Sequence, residues 1–221
     1  MQRTLEPEVM DTPDEADAYA AMDHSGPNRA FVDRLFELGA RGHMLDIGTG
    51  PGHIPLEICE RDPDATLVAV DLAQHMLRLA ERLRDASPHA ARIEFRLGDA
   101  KKLDFPDHAF DAVMSNTILH HIPDPVPFLR EAGRVLRPGG VLLVRDLFRP
   151  ASAAEVDALV DLHARDDSEP QRALFRDSLH AALTPDELQR SAAEAGLPGF
   201  EVRVDSDRHA SIQIAASTQQ R

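Results

Sequence analysis

The chain has 221 residues, enough for one α/β domain with a sizeable buried core. Its 24 basic and 38 acidic residues give a formal charge of −14, which repels phosphate backbones and anionic membrane surfaces, so neither a nucleic-acid nor a membrane partner is expected. The single cysteine excludes an internal disulfide, and with no signal-like start and no apolar run of membrane-spanning length we expect a soluble, cytoplasmic protein.

The N-terminal part is acidic and contains prolines at positions 7 and 13. Residues 1–27 are expected to form a lid or a flexible segment, and the first dozen to be poorly ordered. A single domain is expected at residues 28–221. Its first helix is predicted in NRAFVDRLFELGA, with Asn28 as the N-cap, because apolar residues recur there at helical spacing.

From residue 43 the pattern alternates between strands and helices. The predicted strands are HMLDI (43–47), TLVAVD (66–71), RIEFRLGD (92–99), AFDAVMSN (109–116) and VLLVRDLF (141–148). Helices are predicted between them at residues 54–62, 73–86 and 125–136, the last closed by a turn over residues 137–140. This alternation predicts a parallel sheet with helices on both faces.

The last third is less regular. Helices are predicted at residues 152–166, 173–183 and 184–196, with Ser152 and Thr184 as N-caps of the first and third. Together they make up a predicted group of substrate-side helices over residues 150–196. The chain ends in FEVRVDSD and HASIQIAAS, which predict an antiparallel hairpin within residues 199–217.

Three glycines, Gly48, Gly50 and Gly52, follow the first strand at alternate positions. Glycine at this density allows a ligand to approach the main chain closely. Asp71 ends the second strand, where a carboxylate can accept hydrogen bonds from both hydroxyls of a ribose. The segment therefore predicts a nucleotide-type binding loop.

Two further carboxylates narrow the ligand class. Asp46 lies just before the glycines, and Asp99 closes the third strand, where it could accept a bond from an adenine amino group. Three carboxylates, counting Asp71, would repel a pyrophosphate. They suit a cationic adenosyl ligand without phosphates.

In this order and spacing, LDIGTGPG, VAVDLA, GDA, FDAVMSN and RVLRPGGVLLV resemble the class I S-adenosylmethionine-dependent methyltransferases. The resemblance covers about residues 28–148, the cofactor half of the predicted domain. It implies a Rossmann-like, doubly wound α/β fold with a seven-stranded sheet, mostly parallel with an antiparallel last strand, and S-adenosyl-L-methionine as the cofactor. It also implies the cofactor contacts, which are Asp46, Gly48, Thr49, Gly50 and Gly52 along the methionyl part, Asp71 at the ribose, Leu72, Asp99 and Ala100 at the adenine, and Ser115 and Asn116 near the sulfonium.

The candidate catalytic residues are His120 and His121, which follow the fourth strand, and Asp146, which ends the fifth. An acceptor hydroxyl needs a base, and a carboxylate can orient a histidine for that role. This combination resembles small-molecule O-methyltransferases; alternatively, the histidines only pack or shape the site. Metal ligation is not expected, because neighbouring side chains diverge and no acidic cluster completes a site.

Weaker candidates for the substrate side are Tyr19 and His24 in the N-terminal segment, and Arg149 and His180 after the fifth strand. Each has an ordinary alternative in packing or surface charge.

The sequence therefore predicts a methyltransferase that acts on a small-molecule acceptor. One alternative is methylation of a macromolecule, tRNA or protein, although no basic groove or appended RNA-binding domain is evident. A second is a cofactor-binding sensor that transfers no methyl group. A third, a nicotinamide-dependent oxidoreductase, is disfavoured by the Gly-x-Gly-x-Gly spacing and the lack of a Tyr-x-x-x-Lys pair. A homodimer is left open.

Overall fold

The computed structural model describes residues 1–7 and 25–217. Within them the strands are β1 (His43–Ile47), β2 (Thr66–Asp71), β3 (Ile93–Leu97), β4 (Phe110–Asn116), β5 (Leu136–Leu147), β6 (Glu201–Val204) and β7 (His209–Ile214). The α-helices are α1 (Ser25–Glu37), α2 (His53–Arg61), α3 (Gln74–Asp85), α4 (Pro125–Val135), α5 (Ala153–His163), α6 (Glu169–Ala181) and α7 (Pro185–Ala195). Two short 3₁₀ turns span Ala90–Arg92 and Leu119–His121.

The seven strands form one sheet in the order β3-β2-β1-β4-β5-β7-β6. The first five are parallel to their neighbours, whereas β7 is antiparallel to both β5 and β6. The predicted fold class, a mostly parallel seven-stranded sheet with an antiparallel last strand, is confirmed. The strand order reverses between β1 and β4, which opens a crevice at the carboxyl ends of these strands.

The two faces of the sheet carry separate apolar cores. Along β1 the side chains alternate, so that Leu45 and Ile47 join the core beneath α4 and α7, while Met44 joins the core beneath α1 and α2. The long β5 divides its side chains between the same two cores. Helices on both faces hold the central strands rigid and leave their carboxyl ends open for a site.

The turn predicted at residues 137–140 is wrong, because these residues belong to the first part of β5. Leu136 pairs with Phe110, and pairing resumes between Val141 and Ala112, so the intervening residues form an irregular bulge. A Cβ on Gly140 would lie 2.6 Å from the carbonyl oxygen of Asp111. The glycines that look like a turn in the sequence therefore allow a bulge inside a strand.

Smaller differences concern helix ends. Asn28 is not an N-cap, because α1 already includes Ser25. The helix predicted at 173–183 begins earlier, at Glu169, and ends at Ala181. The other caps are confirmed: the hydroxyls of Ser152 and Thr184 accept hydrogen bonds from the third backbone N–H of α5 and α7.

Residues 1–7 are held in place, contrary to the expectation of disorder. The Arg3 guanidinium donates to four backbone carbonyls, those of His120, Ile122, Pro123 and Ala181, over 2.6–3.2 Å. This short segment therefore ties the loop after β4 to the end of α6. None of the helices in the described ranges is both long enough and apolar enough to cross a bilayer.

Candidate active site

An open cleft of about 1100 Å³, adjoining solvent included, lies at the carboxyl ends of the parallel strands. The loops after β1, β2, β3 and β4 line it, together with Asn28 from α1. Ligands of open α/β folds bind at this edge, where the strand order reverses. The lining includes most of the residues predicted to contact a cofactor, namely Gly48, Thr49, Gly50, Asp71, Leu72, Asp99, Ala100 and Asn116.

The glycine loop after β1 requires its glycines for two reasons. Gly48, Gly50 and Gly52 all have positive φ, at 75°, 54° and 81°. A Cβ on Gly48 would lie 2.5 Å from a methyl carbon of Ile118, and one on Gly52 would lie 2.8 Å from the ring of Phe95. Side chains at these positions would be strained and would clash. Gly48 and Gly50 line the cleft with their main chain, whereas Gly52, predicted as a cofactor contact, packs against Phe95 and does not line it.

Asp71 fixes the shape of this loop from the end of β2. One carboxylate oxygen accepts the N–H of Gly50 at 2.7 Å, and the other accepts that of Ala73 at 2.8 Å. Each carboxylate oxygen can accept more than one hydrogen bond. Leu72 beside it is 41 % exposed, an apolar surface on the cleft wall.

Three buried polar atoms beside the cleft have no hydrogen-bond partner among the described residues: Asp46 Oδ2, Thr49 Oγ1 and Ser115 Oγ. Asp46 and Ser115 do not line the cleft themselves but lie one residue before Ile47 and Asn116, which do. Burial raises the pKa of the Asp46 carboxyl to about 7; the nearby Thr49 hydroxyl opposes this rise and the charge of Asp71 adds to it. An unpartnered buried carboxyl is unfavourable, and a cationic ligand bound nearby would relieve it.

The side chain of Asn116 is held by a hydrogen bond within the protein. Its side-chain oxygen accepts a hydrogen bond from Arg145 Nε at 3.0 Å. The next residue, Thr117, has a φ of 59°, a strained value that turns the chain toward the 3₁₀ turn at Leu119–His121.

His120 and Asp146 form a tightly coupled buried pair. His120 Nδ1 lies 2.6 Å from Asp146 Oδ1, and Asp146 Oδ2 accepts the His120 backbone N–H at 2.9 Å. Burial alone would lower the pKa of His120, but the carboxylates of Asp146 and Glu6 outweigh it and raise the pKa. The reciprocal attraction outweighs burial at Asp146 and lowers its pKa. Neither side chain lines the cleft.

The His121 side chain lines the cleft, and its ring lies beside the ring of His120. The two imidazole centroids are 4.2 Å apart, so the expectation that these side chains diverge is wrong. Burial, with the adjacent His120 charge, lowers the pKa of His121 to about 4, which keeps the ring neutral near pH 7. Its Nδ1 lies 3.1 Å from the Pro7 carbonyl oxygen.

Glu6 was not predicted, and it completes this group. Its Oε1 lies 3.3 Å from His120 Nε2 and 3.1 Å from His121 Nδ1, and Ser178 donates to its carboxylate at 3.3 Å. Burial raises the pKa of Glu6. No sequence signal marked it, because its partners are more than 110 residues away along the chain. We call Glu6, His120 and His121 the His-Glu cluster.

Of the weaker substrate candidates, Arg149 and His180 do not line the cleft. Arg149 is buried, with hydrogen bonds to the carbonyls of Ala182 and Met1 and an ion pair to Glu187 at 2.8 Å. His180 is half-buried on α6 and outside the cleft lining. Tyr19 and His24 lie outside the described residues. Lining residues missed from the sequence include His53, Met76 and Ile122.

Comparisons with known proteins agree with this geometry. Residues 45–144 match the family described as the methyltransferase domain. The chain is 31 % identical over 169 residues to a 27-O-demethylrifamycin SV methyltransferase of Amycolatopsis mediterranei, covering 75 % of this chain and 58 % of that one. It is 37 % identical over 126 residues to a demethylmenaquinone methyltransferase of Thermus thermophilus, covering 57 % and 56 %. The chain thus spans about half the length of these curated relatives.

Two solved structures share the fold at lower identity. A SAM-dependent methyltransferase from Aquifex aeolicus superposes with a TM-score of 0.69 at 17 % identity, over 94 % of this chain and all of that one. The [4+2]-cyclase SpnF superposes with a TM-score of 0.61 at 24 % identity, over 80 % of this chain and 59 % of that one. At these identities the likeness concerns the fold alone.

Proposed function

We propose that this chain, whose residues 45–144 match the methyltransferase domain family, is a class I S-adenosylmethionine-dependent methyltransferase that transfers a methyl group to a small-molecule acceptor. The observation that carries the proposal is the cleft, where the glycine loop, the Asp71 carboxylate and three buried polar atoms without a hydrogen-bond partner among the described residues lie together at the strand-order reversal.

Each chemical group of this cofactor would have a suitable residue at the site. Asp71 would hold the ribose hydroxyls, Leu72 would pack on the adenine, and Asp99 with Ala100 would contact its amino edge. Asp46, whose carboxyl is buried and has an unpartnered oxygen, suits the cationic methionyl end. When bound, the cofactor supplies an activated methyl group, and the chain aligns and desolvates the reacting pair.

For the acceptor we propose a hydroxyl group positioned at the His-Glu cluster. His121 lines the cleft as a neutral ring and can accept a proton, and Glu6 beside its Nδ1 would stabilise the charged form. Asp146 is hydrogen-bonded to His120, the residue next to His121, and holds its ring in place. The curated relatives carry the names of methyltransferases of small molecules, a rifamycin and a menaquinone precursor, which supports this acceptor class.

The proposal is tested by incubating the protein with S-adenosylmethionine and candidate acceptors, and by following S-adenosylhomocysteine formation together with the methylated product by mass spectrometry. Phenols, quinols and hydroxylated polyketides form one set, and tRNA and total protein form the other. Product confined to the first set supports the proposal. Product only from a macromolecule, or cofactor binding without turnover on either set, contradicts it.

A further inference from the structure

We propose that Glu6, His120 and His121 form a binding site for a divalent first-row transition metal ion such as Zn²⁺. Each residue offers one ligand atom, and the three atoms lie within 4.8 Å of one another. Two imidazole nitrogens and one carboxylate oxygen are ligands that zinc, iron, cobalt and nickel accept. The site stands on this geometry, whatever reaction the cleft performs.

The distances between ligand atoms match those around a small metal ion. Glu6 Oε1 lies 3.3 Å from His120 Nε2 and 3.1 Å from His121 Nδ1. In a tetrahedral zinc site with bonds of about 2.0–2.2 Å, neighbouring ligand atoms are roughly 3.3–3.6 Å apart. The third pair, the two imidazole nitrogens, lies within 4.8 Å, so the rings would close in as the ion binds.

Surrounding groups already orient two of the ligands. Asp146 accepts from His120 Nδ1 at 2.6 Å, which leaves Nε2 to face Glu6, the carboxylate–histidine–metal arrangement seen around many bound metals. Ser178 donates to the Glu6 carboxylate. Arg3 holds the backbone carbonyl of His120 at 3.2 Å and therefore fixes the N-terminal segment beside the loop.

The burial of the three side chains and the charge around them also favour a bound metal ion. The side chains of His120, Glu6 and His121 are only 5 %, 11 % and 20 % exposed. Glu6 and Asp146 place two carboxylates beside the two imidazoles. The guanidinium of Arg3 interacts with His120 and offsets part of this negative charge, and a divalent ion would offset the remainder.

Three protein ligands leave at least one coordination position open, as in catalytic rather than structural zinc sites. Because His121 lines the cleft, an open coordination position that faced the cleft would be accessible to a bound acceptor. An acceptor with an oxygen donor could occupy it; only this last role depends on the proposed function. Because a proton and a metal ion compete for the same imidazole nitrogens, His121 would not act as the proton acceptor while it binds the ion.

The test uses the full chain without an affinity tag, stripped of metal with a chelator. Co²⁺ is titrated in and followed by visible absorption, and Zn²⁺ binding is measured by calorimetry. We expect one ion per chain with a Kd on the order of micromolar or tighter. Glu6→Gln and His121→Gln should each weaken binding by about 10–100-fold or more. The control is His163→Gln, because His163 also contacts a carboxylate, that of Asp207 at 2.6 Å, outside the cluster.

Several results would overturn the site: no Co²⁺ spectrum, a Zn²⁺ affinity unchanged in both cluster variants, or a loss of binding in the control. Circular dichroism on each variant separates loss of the site from loss of the fold. S-adenosylmethionine binding is measured on the same samples. A chain that binds metal but no cofactor would contradict the proposed function and leave the metal site standing, and the reverse result would do the opposite.

Discussion

Replacing Asp46 with asparagine should stabilise the protein, and more so at high pH. An ordinary aspartate has a pKa of about 4, whereas burial raises the pKa of Asp46 to about 7. The folded state therefore holds this proton more tightly than the unfolded state. As pH rises from about 4 to about 7, ionisation of Asp46 progressively favours unfolding, and the full effect of about three pKa units is on the order of 4 kcal/mol.

The difference between two pH values isolates this contribution. Between pH 5 and pH 8 the unfavourable effect of the Asp46 carboxyl grows by roughly 2–3 kcal/mol. Asparagine has nearly the same shape and does not titrate. The stabilisation by Asp46→Asn should therefore be larger at pH 8 than at pH 5 by that amount, while packing and other titrating groups cancel in the comparison.

Urea unfolding of both proteins at the two pH values gives the free energies directly. A stability difference that is the same at pH 5 and pH 8 would refute the argument, because it would mean that Asp46 titrates normally in the folded protein. If the reasoning holds, this carboxyl is retained at a cost to stability, as expected for a group that serves a cationic ligand.

Two further substitutions test other parts of the account. Gly48→Ala should destabilise the fold by at least about 1–2 kcal/mol in urea unfolding, because the residue has a φ of 75° and its Cβ would meet Ile118. The control is Gly26→Ala, since a Cβ there meets nothing within 4 Å. An equal loss of stability in both variants would contradict the steric argument. Arg3→Lys keeps the positive charge but loses the planar guanidinium that donates to four backbone carbonyls. It should lower the free energy of unfolding by roughly 2 kcal/mol and expose the N-terminal segment to limited proteolysis. An unchanged cleavage pattern would show that these hydrogen bonds of Arg3 are unimportant.

The sequence was most informative where structure is determined locally. The strands and the glycine loop follow from apolar runs and turn residues next to each other in the chain. Because the carboxyl ends of parallel strands meet at one edge, Gly48, Asp71 and Asp99 could be placed together without coordinates. Gly140 shows the limit of such local inference, since a glycine pair predicts a turn equally well when it serves a bulge.

The acceptor side of the cleft was much less predictable. Glu6 reaches His120 and His121 because the hydrogen bonds of Arg3 hold the N-terminal segment against the loop after β4. Nothing near residue 6 in the sequence signals this contact. Arg149 follows β5 at the edge of the sheet where the cleft lies, yet its guanidinium binds Glu187 and backbone carbonyls. Tertiary contacts between distant segments decide both cases.

The central claim, that the cleft binds S-adenosylmethionine through Asp71, is tested most directly by calorimetric titration with S-adenosylmethionine and S-adenosylhomocysteine. The comparison uses wild type, Asp71→Asn and the exposed control Asp64→Asn. We predict binding on the order of micromolar for wild type and the control, and binding at least about tenfold weaker for Asp71→Asn, since each charge-assisted hydrogen bond contributes roughly 1.5–3 kcal/mol. No binding by folded wild type, or equal affinity in all three proteins, would contradict the account.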